Sequence, residues 1–158
     1  AEIASAGAIP ALVAMLSEDG GAMEEVCGAL TNLADTNEAN QRAIGAAGAV
    51  APLVALVKGG SEIAAEEAAG TLMNLGACDD NKPRMAKAGV MPCMVKLLSS
   101  GTDGAREHAA GTIANLCNGQ VRSGLRWPPR AGALSRPAPA RGSSSTRGTR
   151  GSSHLPNP

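Results

Sequence analysis

Closely similar blocks recur along this chain at intervals of 41 or 42 residues. Three apolar blocks, GAIPALVAML, GAVAPLVALV and GVMPCMVKLL, begin at Gly7, Gly48 and Gly89. Three further blocks, GALTNL, GTLMNL and GTIANL, place an asparagine at positions 32, 74 and 115. A fixed period of a few tens of residues indicates a stack of similar units, because one unit alone cannot bury its apolar surface.

The composition favours helices within each unit. The 158 residues include no Phe, no Tyr and a single Trp, Trp127, so any core consists of Ala, Leu, Val, Ile and Met. Strands are typically rich in β-branched and aromatic residues, whereas Ala, Leu and Met favour helix. We therefore expect an all-α protein.

Capping residues and glycines predict three helices per unit. In repeat two, Asn40 is placed to cap a short helix that ends at Gly48. A second helix is predicted over about 52–57, and Ser61 is placed to cap a third. In repeat three, Asn81 takes the capping place that Asn40 has in repeat two. The predicted repeats cover about 1–37, which lacks most of its first helix, 38–79 and 80–118.

The composition changes after Gln120. The remaining residues include seven Arg, six Pro, seven Ser and five Gly but no Asp or Glu, and they show no helical or strand periodicity. This pattern predicts a disordered tail over residues 119–158. Either the tail folds back onto the repeats as an internal ligand, or it is an out-of-frame or intron-derived translation.

Charge is segregated between the repeats and the tail. All fourteen acidic residues lie before position 110, and residues 1–120 include only seven Lys and Arg, which makes about seven negative charges in excess. The seven arginines of the tail balance this excess. Binding of nucleic acid is therefore an option for the tail alone, and the near absence of aromatic residues disfavours it there.

The three-helix unit resembles the armadillo repeat. The resemblance is carried by an AGAxPxLVxLL block, a Gly-rich link, an EEAAGxLxNL block and an Asn-led short helix, and it covers residues 1 to about 118. It implies a right-handed superhelical solenoid in which the third helices line a concave groove. In similar proteins an asparagine near the end of each third helix hydrogen-bonds an extended peptide, a role that falls here to Asn32, Asn74 and Asn115.

A carboxamide suits this role because it offers both a donor and an acceptor to a peptide backbone. The alternative is that each asparagine satisfies the last carbonyls of its own helix or a neighbouring loop. The positions seven residues before the asparagines lie within about 20 degrees of them on a helix. They are Glu25, Glu67 and His108, and they predict an acidic margin that favours a basic partner. The neighbouring Glu24, Glu66 and Glu107 flank this margin, and the glutamates have a second interpretation as N-terminal helix charges.

Two further sets of positions complete the predicted site. Thr36 and Cys78 lie four residues beyond an asparagine and extend the same stripe. Importin alpha-like members have a tryptophan four residues before the asparagine, where this chain has Gly28, Gly70 and Gly111. The tryptophan slots cannot form, so the glycines serve either close approach of a ligand or tight packing between helices.

No pattern in the sequence indicates an enzyme or a cofactor. The chain lacks a nucleophile with an adjacent base, and GGSEIAAEEAAG lacks the GK[ST] ending of a phosphate-binding loop. The four cysteines have neither zinc-site nor disulfide spacing, and no continuous apolar stretch is long enough for a membrane span. We therefore expect a cytoplasmic or nuclear protein without catalytic activity, metal or small-molecule substrate.

The predicted function is a protein-interaction scaffold that holds an extended, basic segment of a partner in the groove. Two alternatives remain open at this point: the substrate-recognition part of a U-box type ubiquitin ligase, and a nuclear-transport adaptor without the usual tryptophan slots. Neither terminal repeat has a polar capping face, so we also expect self-association through the ends of the stack.

Overall fold

The computed structural model describes residues 7–17 and 22–118. The predicted tail at 119–158, the predicted helix end at 1–6 and part of the first Gly-rich link lie outside the described residues. Within them the chain is all-α, as predicted. The helices are α1 (Ala8–Met15), α2 (Met23–Ala34), α3 (Glu38–Ala46), α4 (Val50–Gly59), α5 (Glu62–Gly76), α6 (Lys82–Ala88), α7 (Val90–Ser100) and α8 (Asp103–Asn118), with a 3-10 turn at Asp79–Asn81 before α6.

The helices stack as three units. Repeat 1 contributes α1 and α2, repeat 2 contributes α3 to α5, and repeat 3 contributes α6 to α8. The third helices α2, α5 and α8 pack side by side with α5 in the middle, and each of α4 and α7 packs against the third helix of its own repeat. The three third helices therefore form one continuous layer.

A glycine with positive φ marks the same corner in every repeat. Gly7, Gly48 and Gly89 have φ angles of 82, 91 and 72 degrees and lie one or two residues before the second helix of their repeats. This left-handed conformation is disfavoured for side chains with a Cβ atom. The recurring AGA and AGV blocks therefore encode the turn between the first and second helices.

Aliphatic side chains of all three repeats make up the core. Leu30, Ile44, Leu53, Leu72, Leu75, Met85, Met94 and Leu116 are among its largest fully buried members. Burying one such side chain stabilises the fold by about 1.5–3 kcal/mol. Ala68 and Ala69 are also fully buried, and their small size lets α5 lie close to both of its neighbours.

The predicted capping roles of Asn40 and Asn81 are wrong. Asn37 caps α3 by accepting the Asn40 backbone N–H at 3.0 Å, and Asn81 lies in helical conformation without a capping bond. The Asn40 side chain instead donates to the carbonyl of Leu33 at 2.7 Å, and that of Asn81 to the carbonyl of Leu75 at 3.2 Å. Both asparagines thus satisfy carbonyls at the end of the preceding third helix, which lack a partner within the helix.

Two other predictions are confirmed. Ser61 caps α5 by accepting the backbone N–H of Ala64 at 3.1 Å, and the second helix predicted over about 52–57 lies within α4. No single helix in the described part of the chain is long and apolar enough to span a membrane. Helices α3 and α4 reach the necessary length and apolar composition only together, and the chain bends by 81 degrees between them.

Candidate functional site

The three predicted asparagines share one face of the third-helix layer, which we call the ladder face. The Asn74 side chain donates to the carbonyl of Thr31 at 3.1 Å, and that of Asn115 donates to the carbonyl of Met73 at 2.9 Å. In both cases the acceptor is the residue before the previous ladder asparagine. Asn32 is exposed and makes no hydrogen bond with any described residue. In repeats 2 and 3, one side-chain N–H of the ladder asparagine is thus bound to the preceding third helix, and this bond fixes the orientation of the carboxamide.

The carboxamide oxygens of Asn74 and Asn115 remain open. Neither oxygen has a partner among the described residues, and neither is among the buried polar atoms without a partner, which are Asn81 Oδ1 and His108 Nδ1. Each oxygen therefore faces solvent and can accept an N–H, and each carboxamide retains one N–H to donate. The sequence left two alternatives for the asparagines, binding of a peptide or satisfaction of carbonyls within the protein. Each of these two carboxamides is free to do both, because one N–H satisfies a carbonyl of the preceding repeat while the oxygen and the second N–H have no partner among the described residues.

The glycines of the third helices lie under side chains from neighbouring repeats. A Cβ atom at Gly70 would lie 3.3 Å from Nε2 of His108, and one at Gly28 would lie 3.9 Å from a carboxylate oxygen of Glu67. At Gly111 it would lie 2.4 Å from the sulfur of Met73. Gly111 and Gly70 therefore make room for neighbouring side chains, whereas the distance at Gly28 would also admit a methyl group.

The residues of the predicted acidic margin differ in what they contact, and they form two sets. Glu25 is exposed, and Glu67 and His108 are half-buried where they cover the glycines. Glu24 and Glu66 have a different role, because each accepts a hydrogen bond from the capping hydroxyl of the next third helix. Ser61 donates to Glu24 at 2.7 Å, and Thr102 donates to Glu66 at 2.5 Å.

We call each of these hydroxyl–carboxylate pairs an inter-repeat latch. The same hydroxyl that donates to the glutamate also accepts an N–H of its own helix, from Ala64 in one case and Ala105 in the other, both at 3.1 Å. Neither latch was predicted from the sequence. Their signal was a Ser or Thr at positions 61 and 102 together with a Glu at positions 24 and 66.

The two residues predicted to extend the stripe differ in exposure. Thr36 is exposed and has a positive φ of 47 degrees just beyond α2. Cys78 is only 1 % exposed, so its thiol presents no surface to a ligand and it is left out of the site. Burial also raises the pKa of Cys27, beneath the layer, to about 11, and the negative charge of Glu67 contributes to this rise.

A separate cleft of about 610 Å³ lies between repeats 2 and 3, where the second helices end and the third helices begin. Lys58, Lys96 and Glu62 are its charged lining residues, and no ladder asparagine reaches it. No group of three or more His, Cys, Asp or Glu residues within 7–17 and 22–118 is arranged to hold a metal ion. The ladder face, by contrast, repeats the same hydrogen bond from an asparagine to the preceding repeat at Asn74 and Asn115.

Comparison with known proteins agrees with this geometry. The family model of the armadillo/beta-catenin-like repeat matches residues 78–118. A designed armadillo repeat protein solved in complex with the peptide (KR)4 is 26% identical, with a TM-score of 0.68 over 78% of this chain and 55% of that chain. A crystal structure of computationally designed armadillo repeat proteins for modular peptide recognition is 25% identical, with a TM-score of 0.69 over 78% of this chain and 56% of that one.

An engineered protein of solved structure is 29% identical, with a TM-score of 0.69 over 77% of this chain and 53% of its own. The chain thus spans about half the length of the solved structures that it matches. No curated protein matches it. Residues 78–118 thus match the armadillo/beta-catenin-like repeat, and the described stack has the fold of designed armadillo repeat proteins.

Proposed function

We propose that the ladder face binds an extended, basic segment of a partner protein, with Asn32, Asn74 and Asn115 holding the backbone of that segment. The observation that carries the proposal is the open carboxamide oxygen of Asn74 and Asn115, fixed in place by the hydrogen bond on the nitrogen side. A fixed acceptor loses little freedom when it binds an N–H, so its contribution to affinity is larger than that of a mobile side chain.

The charge of the layer supports a basic partner. The helices α2, α5 and α8 include seven acidic residues, namely Glu24, Glu25, Glu62, Glu66, Glu67, Asp103 and Glu107, against one basic residue, Arg106. Arg106 forms an ion pair with Asp103 on its own helix. The resulting negative field attracts Lys and Arg side chains and accelerates their association.

The similar solved structures point the same way. One is a designed armadillo repeat protein in complex with a peptide of alternating Lys and Arg, and another was designed for modular peptide recognition. The armadillo solenoid typically serves as a binding scaffold, and we extend that role to this chain. Tryptophan slots play no part in the proposed binding. Gly28, Gly70 and Gly111 occupy the positions of those tryptophans, and side chains of neighbouring repeats lie over them.

The proposal is tested by measuring the affinity of a labelled (KR)4 peptide for the full chain and for two variants. Asn32→Ala removes a carboxamide that has no partner among the described residues, so it should weaken binding about five- to tenfold without changing the free energy of unfolding. Asn74→Ala should weaken binding and also destabilise the fold by about 1 kcal/mol, because the bond to Thr31 is lost.

An acidic peptide, (ED)4, serves as the charge control and should not bind. Glu25→Lys should weaken (KR)4 binding and reduce its dependence on salt concentration, since Glu25 is exposed and has no partner among the described residues. Equal affinity of (KR)4 for the unmodified chain and for Asn32→Ala would mean that the ladder does not hold the peptide.

A further inference from the structure

We propose that the cleft between repeats 2 and 3 binds an acidic segment of a partner protein, with an aliphatic side chain in the cleft and carboxylates against Lys58 and Lys96. The site is separate from the ladder face, because no ladder asparagine lines the cleft. The inference therefore does not depend on the proposed binding of a basic segment.

The cleft lies at the boundary between two neighbouring repeats, inside the array. Residues of α4 and α5 in repeat 2 and of α7 and α8 in repeat 3 line it. Its walls thus come from both repeats, so a further repeat at either end of the stack would leave it open. A volume of about 610 Å³ is typical of clefts that bind ligands.

One part of the cleft is apolar. This part consists of Val57, Ala65, Pro92, Leu97 and Ala105. Pro92 is exposed, and Val57 and Ala65 are half-buried, so part of this surface is in contact with water. An aliphatic side chain that covers it removes apolar area of both partners from water, which favours binding.

The hydroxyl and thiol groups of the cleft are already engaged within the protein. Each of them donates a hydrogen bond to a described acceptor, namely Ser61, Cys93, Ser100 and Thr102. Three charged side chains are left, Lys58, Lys96 and Glu62, and none of them has a partner among the described residues. The two ammonium groups offer only donors, so a matching ligand supplies acceptors.

Unpaired positive charge is concentrated at this cleft. Four of the basic side chains in the described part of the chain bond to an acidic residue or to a carbonyl, namely Arg42, Lys82, Arg84 and Arg106. The other three, Lys58, Lys87 and Lys96, have no such bond there, and two of these three line the cleft. Carboxylates are therefore complementary to the cleft.

The lysines are particular to this boundary. One repeat earlier, the equivalent positions are Ser17 and Ala55, so the lysines do not belong to the repeating pattern that builds the fold. Glu62 is the one acidic residue in the lining and opposes the binding of a carboxylate. The lining nevertheless has more positive than negative charge.

The open side of the cleft favours a protein segment over a small molecule. Lys58, Lys96, Glu62 and Ser100 are all exposed, so a small ligand would be covered on one side only. A protein segment covers the open side with its own backbone. A segment in which Leu, Ile or Val is flanked by Asp or Glu combines the aliphatic side chain with the carboxylates that the cleft requires.

The affinity of the full chain for the peptide EDLED, acetylated and amidated at its ends, tests the proposal. The peptide (ED)4 has more negative charge but no aliphatic residue, and it should bind at least about tenfold more weakly because no leucine is buried. Both peptides are attracted by the seven arginines after Gln120. Equal affinities would mean that this attraction, and not the cleft, holds the peptides, and would overturn the proposal.

Two variants with the same net charge locate the site. Lys96→Glu should weaken EDLED binding at least about tenfold, whereas Lys87→Glu, outside the cleft, should change it less than about twofold. Equal losses in the two variants would show that the attraction is not specific and would contradict the proposal. Lys87 and Lys96 are exposed, and circular dichroism checks that both variants fold.

Milder substitutions provide a second measurement at the same site. Lys58→Ala should weaken EDLED binding about two- to fivefold, because one exposed ion pair is lost. Glu62→Gln should strengthen binding, since it removes the one negative charge from the lining. If neither substitution changes the affinity, the peptide does not lie in the cleft.

Nuclear magnetic resonance separates this site from the ladder face. EDLED should shift the backbone amide signals of Gly60 and Gly101, which line the cleft, and Asn32→Ala should leave its affinity unchanged. Shifts confined to other residues would overturn the proposal. Octanoate combines a carboxylate with an aliphatic chain in a small molecule. If it binds more tightly than EDLED, the cleft is a small-molecule site and the assignment to a protein segment is wrong.

Discussion

At the scale of single residues, the side chain of Asn81 packs directly against the backbone of Gly45. The Asn81 side chain donates to the carbonyls of Gln41 and Leu75, at 2.8 and 3.2 Å, and so joins repeat 3 to repeat 2. A Cβ atom at Gly45 would lie 1.9 Å from Oδ1 and 2.5 Å from Cγ of Asn81. Because both hydrogen bonds hold this amide, it cannot move aside without losing them.

Gly45→Ala should therefore destabilise the fold by about 1–3 kcal/mol, although alanine favours helix. Gly59→Ala is the control, since a Cβ atom there meets nothing within 4 Å, and it should be neutral or slightly stabilising. Urea unfolding measures both. Equal stability of the two variants would contradict the close contact with Asn81.

Cys27 gives the stability a dependence on pH. Burial raises the pKa of its thiol from 9.0 to about 11, with a smaller contribution from Glu67. The folded state therefore favours the neutral thiol, and the associated stability is complete below pH 9 and is lost as the pH rises from 9 to 11.

Between pH 8 and 10.5 the unmodified chain should lose about 2 kcal/mol more unfolding free energy than Cys27→Ala. Measuring the unfolding of both proteins by urea at the two pH values isolates this contribution, because all other titrating groups are shared. Identical losses in the two proteins would show that Cys27 ionises equally in the folded and unfolded states.

At the scale of helices, the latches join consecutive third helices at their N-terminal ends. The Thr102 hydroxyl accepts an N–H of α8 and donates to Glu66 on α5. The Glu66 carboxylate occupies the space that a side chain at Gly104 would need, since a Cβ atom there would lie 2.1 Å from its oxygen. The latch therefore sets the approach of the two helices as well as the cap of one.

Thr102→Val keeps the shape of the side chain but removes both hydrogen bonds, and it should destabilise the fold by about 1–2 kcal/mol. Thr102→Ser should retain most of the stability, because Ser61 makes the same two bonds one repeat earlier. Thermal unfolding compares the two variants. A serine variant as unstable as the valine variant would argue against the latch.

The sequence predicted features that depend on residues close together in the chain. The glycine corner at Gly48 and the cap at Ser61 follow from local spacing. The contacts of Asn81 and Thr102 with the preceding repeat could not be predicted in this way, because their partners Gln41 and Glu66 lie 40 and 36 residues earlier. The wrong assignment of Asn40 as a cap has a local cause, because Asn37 lies three residues earlier and takes the cap itself.

For the candidate site, helical periodicity predicted which positions share a face with the asparagines but not how the neighbouring repeat covers that face. His108 was predicted as a groove residue, and it lies over Gly70 of the repeat before it. Cys78 was placed on this face by extending the helical periodicity of α5. The helix ends at Gly76, however, so the periodicity does not reach Cys78, and its side chain is buried.

At the scale of the whole molecule, three stacked units make one continuous third-helix layer with an acidic excess and a regular row of asparagines. The row matters for function only if it recognises the backbone of a bound segment. Charge attraction alone would hold a basic peptide equally well in any register, so recognition of the backbone is the central claim to test.

The most direct measurement compares the affinity of the full chain for (KR)4 and for two versions of it, N-methylated at every lysine or at every arginine. Successive N–H groups of an extended chain point to opposite sides, so only one set can meet the asparagines. We predict that one methylated peptide binds at least about tenfold more weakly and that the other keeps its affinity within about twofold. Equal affinities for all three peptides, or equal losses for both methylated ones, would contradict backbone recognition by the ladder.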